Sequence, residues 1–339
     1  MDEPASWVGV VKRRGHLHVM RIGVVADDLT GACDSSVAFL AMGSVGVTLW
    51  PPPIDPAWNC VAISTESRDE SAQTSLDRSS EAAAALRKAG VDLLFRKVDS
   101  QMRGNVAADL AGTLKVSNAG CVLAPAVPEE GRITVVGHQR WPGGDVDIVV
   151  MLQRAGIHTS SGSPADAEPD LVVVCDAATG EDLQRIADEI ARANPRPLVA
   201  GASGLASRLP AAFGFHKTPH HQWNPCRRPL AIVGTPAAMA QARVAIDGGK
   251  DVVVLGPDEL PGDLDSHDGI LVTGGETAAR IMRWLGAETI ELRGEAQPRV
   301  PVGVIVGGSR HEMPIAIKSG SFGTENAITL ALDALARGG

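Results

Sequence analysis

The stretch Ile22-Gly-Val-Val-Ala-Asp27-Asp28-Leu-Thr30-Gly31-Ala-Cys-Asp34 decides the fold class. Its first five residues are all small or apolar. That is the pattern of a strand covered on both faces, and so of parallel sheet, rather than of one alternating between core and water. Two adjacent carboxylates end the run, and Thr30 stands where the next helix needs a cap. Ligands of open α/β sheets bind outside the carboxyl ends of the strands. Asp27 and Asp28 therefore fall where a substrate hydroxyl can be held and deprotonated. The plainer arrangement, one Asp capping the turn and the other solvated, is outweighed by this strand-end placement.

Outward from this stretch, β-branched runs alternate with Ala-rich helical ones. Strands are predicted over 22–26, 45–50, 61–64, 93–97, 121–124, 171–175, 198–200, 230–233, 251–255, 270–273, 289–292 and 302–306. Helices are predicted over 33–42, 81–88, 107–116, 181–193, 237–245, 277–285 and 326–335. The alternation implies βαβ units. The aperiodic 216–229, rich in His, Pro, Gln, Asn and Arg, reads as a linker. The expected fold is α/β with two domains, each a mostly parallel sheet flanked by helices. Residues 1–20 form a flexible leader, 21–215 a larger domain and 230–339 a smaller one.

Composition bounds the chemistry. In 339 residues, 44% hydrophobic and 21% charged residues suit a globular chain with a real core. A formal net charge of -9 disfavours nucleic acid and anionic lipid as partners, while leaving room for a local basic pocket. The five cysteines form no C-x-x-C pair and read as small apolar residues in a reducing compartment, which points to the cytoplasm. No apolar run approaches membrane-spanning length.

Four further segments carry chemistry. Phe95-Arg96-Lys97-Val98-Asp99-Ser100-Gln101-Met102-Arg103-Gly104-Asn105 packs cations, an acid, a hydroxyl and an amide into a turn after an apolar strand. Lys97 and Arg103 could clamp a substrate carboxylate, and Asp99 and Asn105 could bond sugar hydroxyls; a salt-bridged surface turn is the alternative. Pro128-Glu129-Glu130-Gly131-Arg132 follows another strand end, where a proline-stiffened connection would look the same. Thr273-Gly274-Gly275-Glu276-Thr277 lies between a strand and a helix, where backbone amides can hold phosphate. Lys318-Ser319-Gly320-Ser321-Phe322-Gly323 offers a nest of amides plus a cation. Each could also be an ordinary glycine turn, yet two in one small domain suggest a nucleotide triphosphate facing the acidic pocket of the other domain. The chain has no G-x-x-x-x-G-K-[ST] loop, no G-x-G-x-x-G after the first strand and no G-x-S-x-G elbow. Their absence argues against a standard P-loop enzyme, dinucleotide oxidoreductase or α/β-hydrolase.

Taken in order, the segments Ala26–Ala32, Ser64-Thr-Glu-Ser-Arg68, Lys97–Asn105, Ala124–Arg132, Ser203-Gly204-Leu205-Ala206, Gly274–Ala278 and Lys318–Gly323 resemble the four-carbon acid sugar kinase family, which includes threonate, erythronate and 3-oxo-tetronate kinases. The resemblance implies an N-terminal domain for the sugar acid, a C-terminal domain for ATP and Mg²⁺, an active site in the cleft between them, and transfer to a terminal hydroxyl. It puts Asp28 and Asp27 in the catalytic role. Lys97, Asp99, Ser100, Arg103, Asn105 and Arg132 fall on the substrate side, and Ser203, Thr235, Gly274, Gly275, Glu276, Thr277, Lys318, Ser319, Gly320 and Gly323 on the nucleotide side. It assigns no metal ligands, and a homodimer is compatible with it. The chain departs from the family at Gln101-Met102, at Thr235-Pro236, and in a shortened segment after Gly137. Those departures keep a non-catalytic sugar-acid sensor as the rival reading, with an oxidoreductase of atypical cofactor loop as a third.

Overall fold

The structure, a computed structural model, describes residues 10–13, 16–52, 57–117, 120–216, 223–320 and 322–339, with side chains from Met20 onward. Residues 217–222 of the expected linker, with His220 and His221, lie outside the described residues, as does Ser321. The strands are β1 (Val10–Arg13), β2 (His16–Val19), β3 (Ile22–Ala26), β4 (Val45–Leu49), β5 (Cys60–Ser64), β6 (Leu93–Lys97), β7 (Cys121–Ala124), β8 (Ile133–Val135), β9 (His138–Trp141), β10 (Gly144–Asp147), β11 (Thr159–Ser161), β12 (Val172–Val174), β13 (Leu198–Gly201), β14 (Pro229–Val233), β15 (Val252–Val254), β16 (Gly269–Thr273), β17 (Thr289–Gln297), β18 (Val300–Val306) and β19 (Pro314–Lys318). The helices are α1 (Leu29–Ser36), α2 (Ala72–Lys88), α3 (Val106–Leu114), α4 (Ile148–Arg154), α5 (Gly180–Arg192), α6 (Ser203–Ala206), α7 (Leu209–Ala212), α8 (Met239–Asp247), α9 (Gly275–Trp284) and α10 (Ala327–Arg337).

Fourteen strands form one sheet in the order β11-β12-β7-β13-β6-β3-β5-β4-β17-β18-β19-β16-β14-β15. The first eight run parallel, as do the last four. Between these blocks, β4-β17, β17-β18 and β18-β19 pair antiparallel. The expected α/β architecture of two mostly parallel sheets is therefore present, with the two sheets fused edge to edge. Within the leader, β1 and β2 pair with each other as a separate hairpin, and β8, β9 and β10 make a small antiparallel sheet after Gly131.

The seam has a geometric consequence. Three antiparallel steps reverse the second block, so in a flat sheet the carboxyl ends of β3 and β16 would lie on opposite edges. Six strand-to-strand steps separate β3 from β16, and sheet twist of about 20–25° per step turns one by roughly 120–150° relative to the other. The two carboxyl ends thus come to the same place. One apolar cluster runs through both blocks beneath them, including Val24 and Phe95 from the first, Ile232, Val272 and Ile317 from the second, and Leu29 and Ile281 from α1 and α9. α2, α3 and α4 cover the opposite face of the first block, and α8 and α10 that of the second. All five cysteines are buried and free, in keeping with their reading as small apolar residues. Among the described residues no helix is long and apolar enough to cross a membrane.

Candidate active site

β3 ends in Asp27 and Asp28, both buried. Asp28 caps α1: its Oδ1 accepts from Gly31 N at 2.9 Å and its Oδ2 from Thr30 Oγ1 at 2.5 Å. The loop after β5 supplies a partner that sequence reading quoted but gave no role. Arg68 donates through Nε and Nη2 to Asp27 at 2.7 and 2.8 Å, and through Nη1 and Nη2 to Asp28 at 2.9 and 3.0 Å. Burial alone would raise the Asp27 carboxyl, but the charge and hydrogen bonds of Arg68 outweigh it and hold Asp27 below the ordinary carboxylate range.

The β6–α3 turn is arranged around Asp99, which accepts from the Gln101 amide at 2.8 Å and from Arg103 through Nε at 3.0 Å and Nη2 at 2.6 Å. Burial opposes ionisation of Asp99, and the bonds from Arg103 with the charge of Arg68 overcome it, so its carboxyl also sits low. One edge of the Arg103 fork is thus already occupied. Arg132 donates to Ser100 Oγ at 2.5 Å. Lys97 is buried, yet its ammonium makes no hydrogen bond or ion pair with any described residue. A Cβ on Gly31 would stand 2.5 Å from Asp28 Oδ1 and 2.9 Å from Lys97 Nζ, so only glycine lets α1 approach both groups. Asn105 is placed differently from expectation. Its Nδ2 donates to the carbonyls of Ser67, Arg68 and Glu70, fixing the Arg68 loop and lining no part of the cavity.

Lys97, Asp99, Ser100, Arg103, Arg132, Asp28 and Arg68 line a small cavity of about 30 Å³. Ser203, expected on the nucleotide side, lines this cavity instead, because β13 lies beside β6 and delivers the start of α6 there. A second, open cleft of about 620 Å³ lies beyond Asp28 and Arg68, which line both spaces. Asp27, Glu66, Gly234, Thr235, Gly274, Gly275, Glu276 and Thr277 line this cleft. A Cβ on Gly275 would be 2.8 Å from Asp28 Oδ2, so the glycine turn of one block and the carboxylate of the other are in contact.

Gly274 takes φ +90° before α9 and gives that helix no side-chain cap, and the first residues of the helix line the cleft. Gly320 packs on Thr235, Gly323 on Ala327, and Gly234 on Thr277, with Glu276 exposed at the rim. Ser319 reaches the small cavity. Lys318 is fully buried with the Ser319 carbonyl as acceptor at 2.9 Å, and burial lowers it to about 8. Sequence reasoning also passed over Glu66, which sits at φ +47° and accepts from Ser64 Oγ; burial, helped by Asp28 and Asp27, pushes its carboxyl up to about 7. Among the described residues no three His, Cys, Asp or Glu side chains form a metal-holding group.

The family model described as "Sugar-binding N-terminal domain" matches residues 22–161 and 144–209, and "Nucleotide-binding C-terminal domain" matches 260–328. The chain is 27% identical to a D-threonate kinase of Bordetella bronchiseptica, over 93% of this chain and 97% of that protein. It is 22% identical to a D-erythronate kinase of Heliobacterium modesticaldum (92% and 96%) and 23% identical to a 3-oxo-tetronate kinase of Pseudomonas savastanoi (93% and 97%). The first alignment has 394 positions, whereas 93% of 339 residues is about 315, so roughly 80 aligned positions have no residue here. Among solved structures, a protein of Salmonella typhimurium LT2 shares the fold with a TM-score of 0.71 at 19% identity (92% of this chain, 98% of that one). A Bordetella bronchiseptica domain, solved with bound citrate as a domain-swapped dimer, matches with a TM-score of 0.50 at 25% identity (93% and 98%). With the sugar-binding and nucleotide-binding regions matched in order along one chain, this protein belongs to the four-carbon acid sugar kinase family.

Proposed function

We propose that this protein is a cytoplasmic, ATP-dependent kinase that phosphorylates a terminal hydroxyl of a four-carbon sugar acid of the threonate, erythronate or 3-oxo-tetronate type. The observation that carries this reading is the pair of spaces meeting at Asp28: a small polar cavity lined by an ammonium with no ion pair among the described residues, and a larger cleft edged by glycine turns. A buried ammonium with no hydrogen bond or ion pair of its own among the described residues is costly, and an acid's carboxylate would give Lys97 that partner. Arg132 and the free edge of Arg103 add donors for the same anion or its hydroxyls. The Bordetella bronchiseptica relative was solved with a carboxylate ligand, citrate, bound.

With the carboxylate held at the Lys97 end, the far hydroxyl of the acid faces Asp28, which accepts its proton as the oxygen attacks. Arg68 keeps Asp27 and Asp28 in register and, touching both spaces, sits where charge develops during transfer. The turns at Gly234-Thr235, Gly274-Gly275 and Lys318–Gly323 hold the nucleotide's phosphates through amides and the Lys318 ammonium. Mg²⁺, which binds through one or two carboxylates plus substrate phosphates, would neutralise phosphate charge here, with Asp28 and Glu66 among the carboxylates that line the cleft.

The test is ADP release measured with each stereoisomer of threonate, erythronate and 3-oxo-tetronate. Acid-dependent release is expected. Tight acid binding without ATP consumption would favour the sensor, a reading that the kinase names of the relatives do not support.

A further inference from the structure

The small cavity is walled in part by the nucleotide-binding half. Ile317, Ser319, Phe322 and Arg299 line it, although Lys97, Arg103 and Arg132 belong to the other half. Phe322 lies two residues after Gly320, and its ring has two guanidinium groups over it, Arg132 at 4.8 Å and Arg299 at 4.4 Å from its centroid. Both contacts are within cation–π range. Arg299 projects from the β17–β18 turn at φ +68°, where its amide is held by Glu295 Oε1 at 2.7 Å. Its guanidinium reaches across the seam to Glu130 at 3.0 Å, Asp34 at 3.7 Å and Ser203 Oγ. Arg132 is meanwhile bonded to Ser100. Phe322 thus contacts one arginine of each half, both of which line the acid cavity.

The same turn begins at Lys318, which has no carboxylate partner, and Gln241 Nε2 steadies its far end by donating to the Phe322 and Gly323 carbonyls at 3.2 Å each. A cavity of about 30 Å³ holds about one water. A four-carbon acid needs more, so some of the lining side chains have to shift to admit it.

We propose that Phe322, gripped by Arg132 and Arg299, is a positioning residue that closes the acid pocket from the nucleotide side, so that phosphate held at the Lys318–Gly323 turn tightens acid binding. This rests on the kinase reading above. By reciprocity the acid tightens nucleotide binding by the same factor.

The experiment is calorimetric titration of the full chain with the tightest binder among D-threonate, D-erythronate and 3-oxo-tetronate, with and without a Mg²⁺-loaded, non-hydrolysable ATP analogue. Wild-type protein should bind the acid about tenfold tighter with the analogue present. Phe322→Ala and Phe322→Leu should bring that ratio close to one, the leucine keeping apolar bulk and guarding against a folding defect. Phe322→Tyr, which keeps an aromatic face, should restore most of it. A wild-type ratio of one, or an undiminished ratio in Phe322→Leu protein with a normal melting temperature, would overturn the proposal while leaving the kinase reading intact. Wild-type protein that binds neither acid nor analogue would overturn both.

Discussion

Arg96 and Lys97 are neighbours on β6 and meet opposite fates. Successive strand residues point to opposite faces. Arg96 enters the layer under α2 and α3, where it is 1% exposed and pairs with Asp109 at 2.7 Å, with Ser79 accepting from Arg96 and donating to Asp109. Every charge in that cluster has its partner. Lys97 enters the cavity at the sheet's carboxyl edge and has none among the described residues. A buried pair satisfied within the chain specifies packing; a buried cation left without one specifies a ligand. The two faces of one strand thus separate a structural use of charge from a functional one, and mutations on the two sides should fail in different ways.

The largest effect is expected on the cavity side. Asp28→Asn should lower kcat on the order of 10³-fold, the range of a general base, with a melting temperature close to wild type. Steady-state kinetics and thermal melting together check this, and wild-type turnover would remove Asp28 as the proton acceptor. On the opposite face the failure should be one of folding. Arg96→Met leaves Asp109 buried and unpaired and should cost about 3–5 kcal/mol in denaturant unfolding, with little change in kcat for the protein that remains folded. Adding Asp109→Leu should recover most of the loss.

Lys97→Met sharpens the contrast further. Losing the acid's counter-charge should raise KM for the acid on the order of 100-fold, with a smaller loss of stability than Arg96→Met because Lys97 has no ion pair to break among the described residues. The smallest effect is a pH dependence. Burial lowers Lys318 to about 8, so the free protein loses this charge as pH rises through that value. KM for ATP should then climb by about tenfold above pH 8, and Lys318→Met should flatten the profile.

Much of this was legible locally. Continuous apolar runs announced the parallel strands, and the chemistry placed just after them announced the site: Asp27 and Asp28 after β3, Lys97 to Arg103 at β6, Gly274 and Gly275 after β16. Elements lacking that signature were missed. β11 (Thr-Ser-Ser) has no apolar run, β19 opens on a proline, and the β8–β10 sheet is fixed by buried polar groups, Thr134 donating to Gln139 at 2.6 Å and Gln139 to the Ser100 carbonyl at 2.7 Å. The first turns of α2 read as polar because Ala72–Ser80 is rich in Ser, Thr, Gln and Asp, even though Ser71 caps the helix. Long-range partners were also hidden. Arg68 meets Asp27 from 41 residues away, and Arg299 meets Ser203 from 96, distances that no local pattern encodes. The antiparallel seam depends on β4 pairing with β17 and was invisible for the same reason.

The central claim is that an acid anchored at Lys97 presents its far hydroxyl to Asp28 and the glycine turns. Phosphorus and carbon NMR of the product formed from ATP and the best four-carbon acid tests it most directly. A phosphate monoester on the terminal carbon is the result expected. Release of inorganic phosphate alone, or an ester next to the carboxylate, would contradict it.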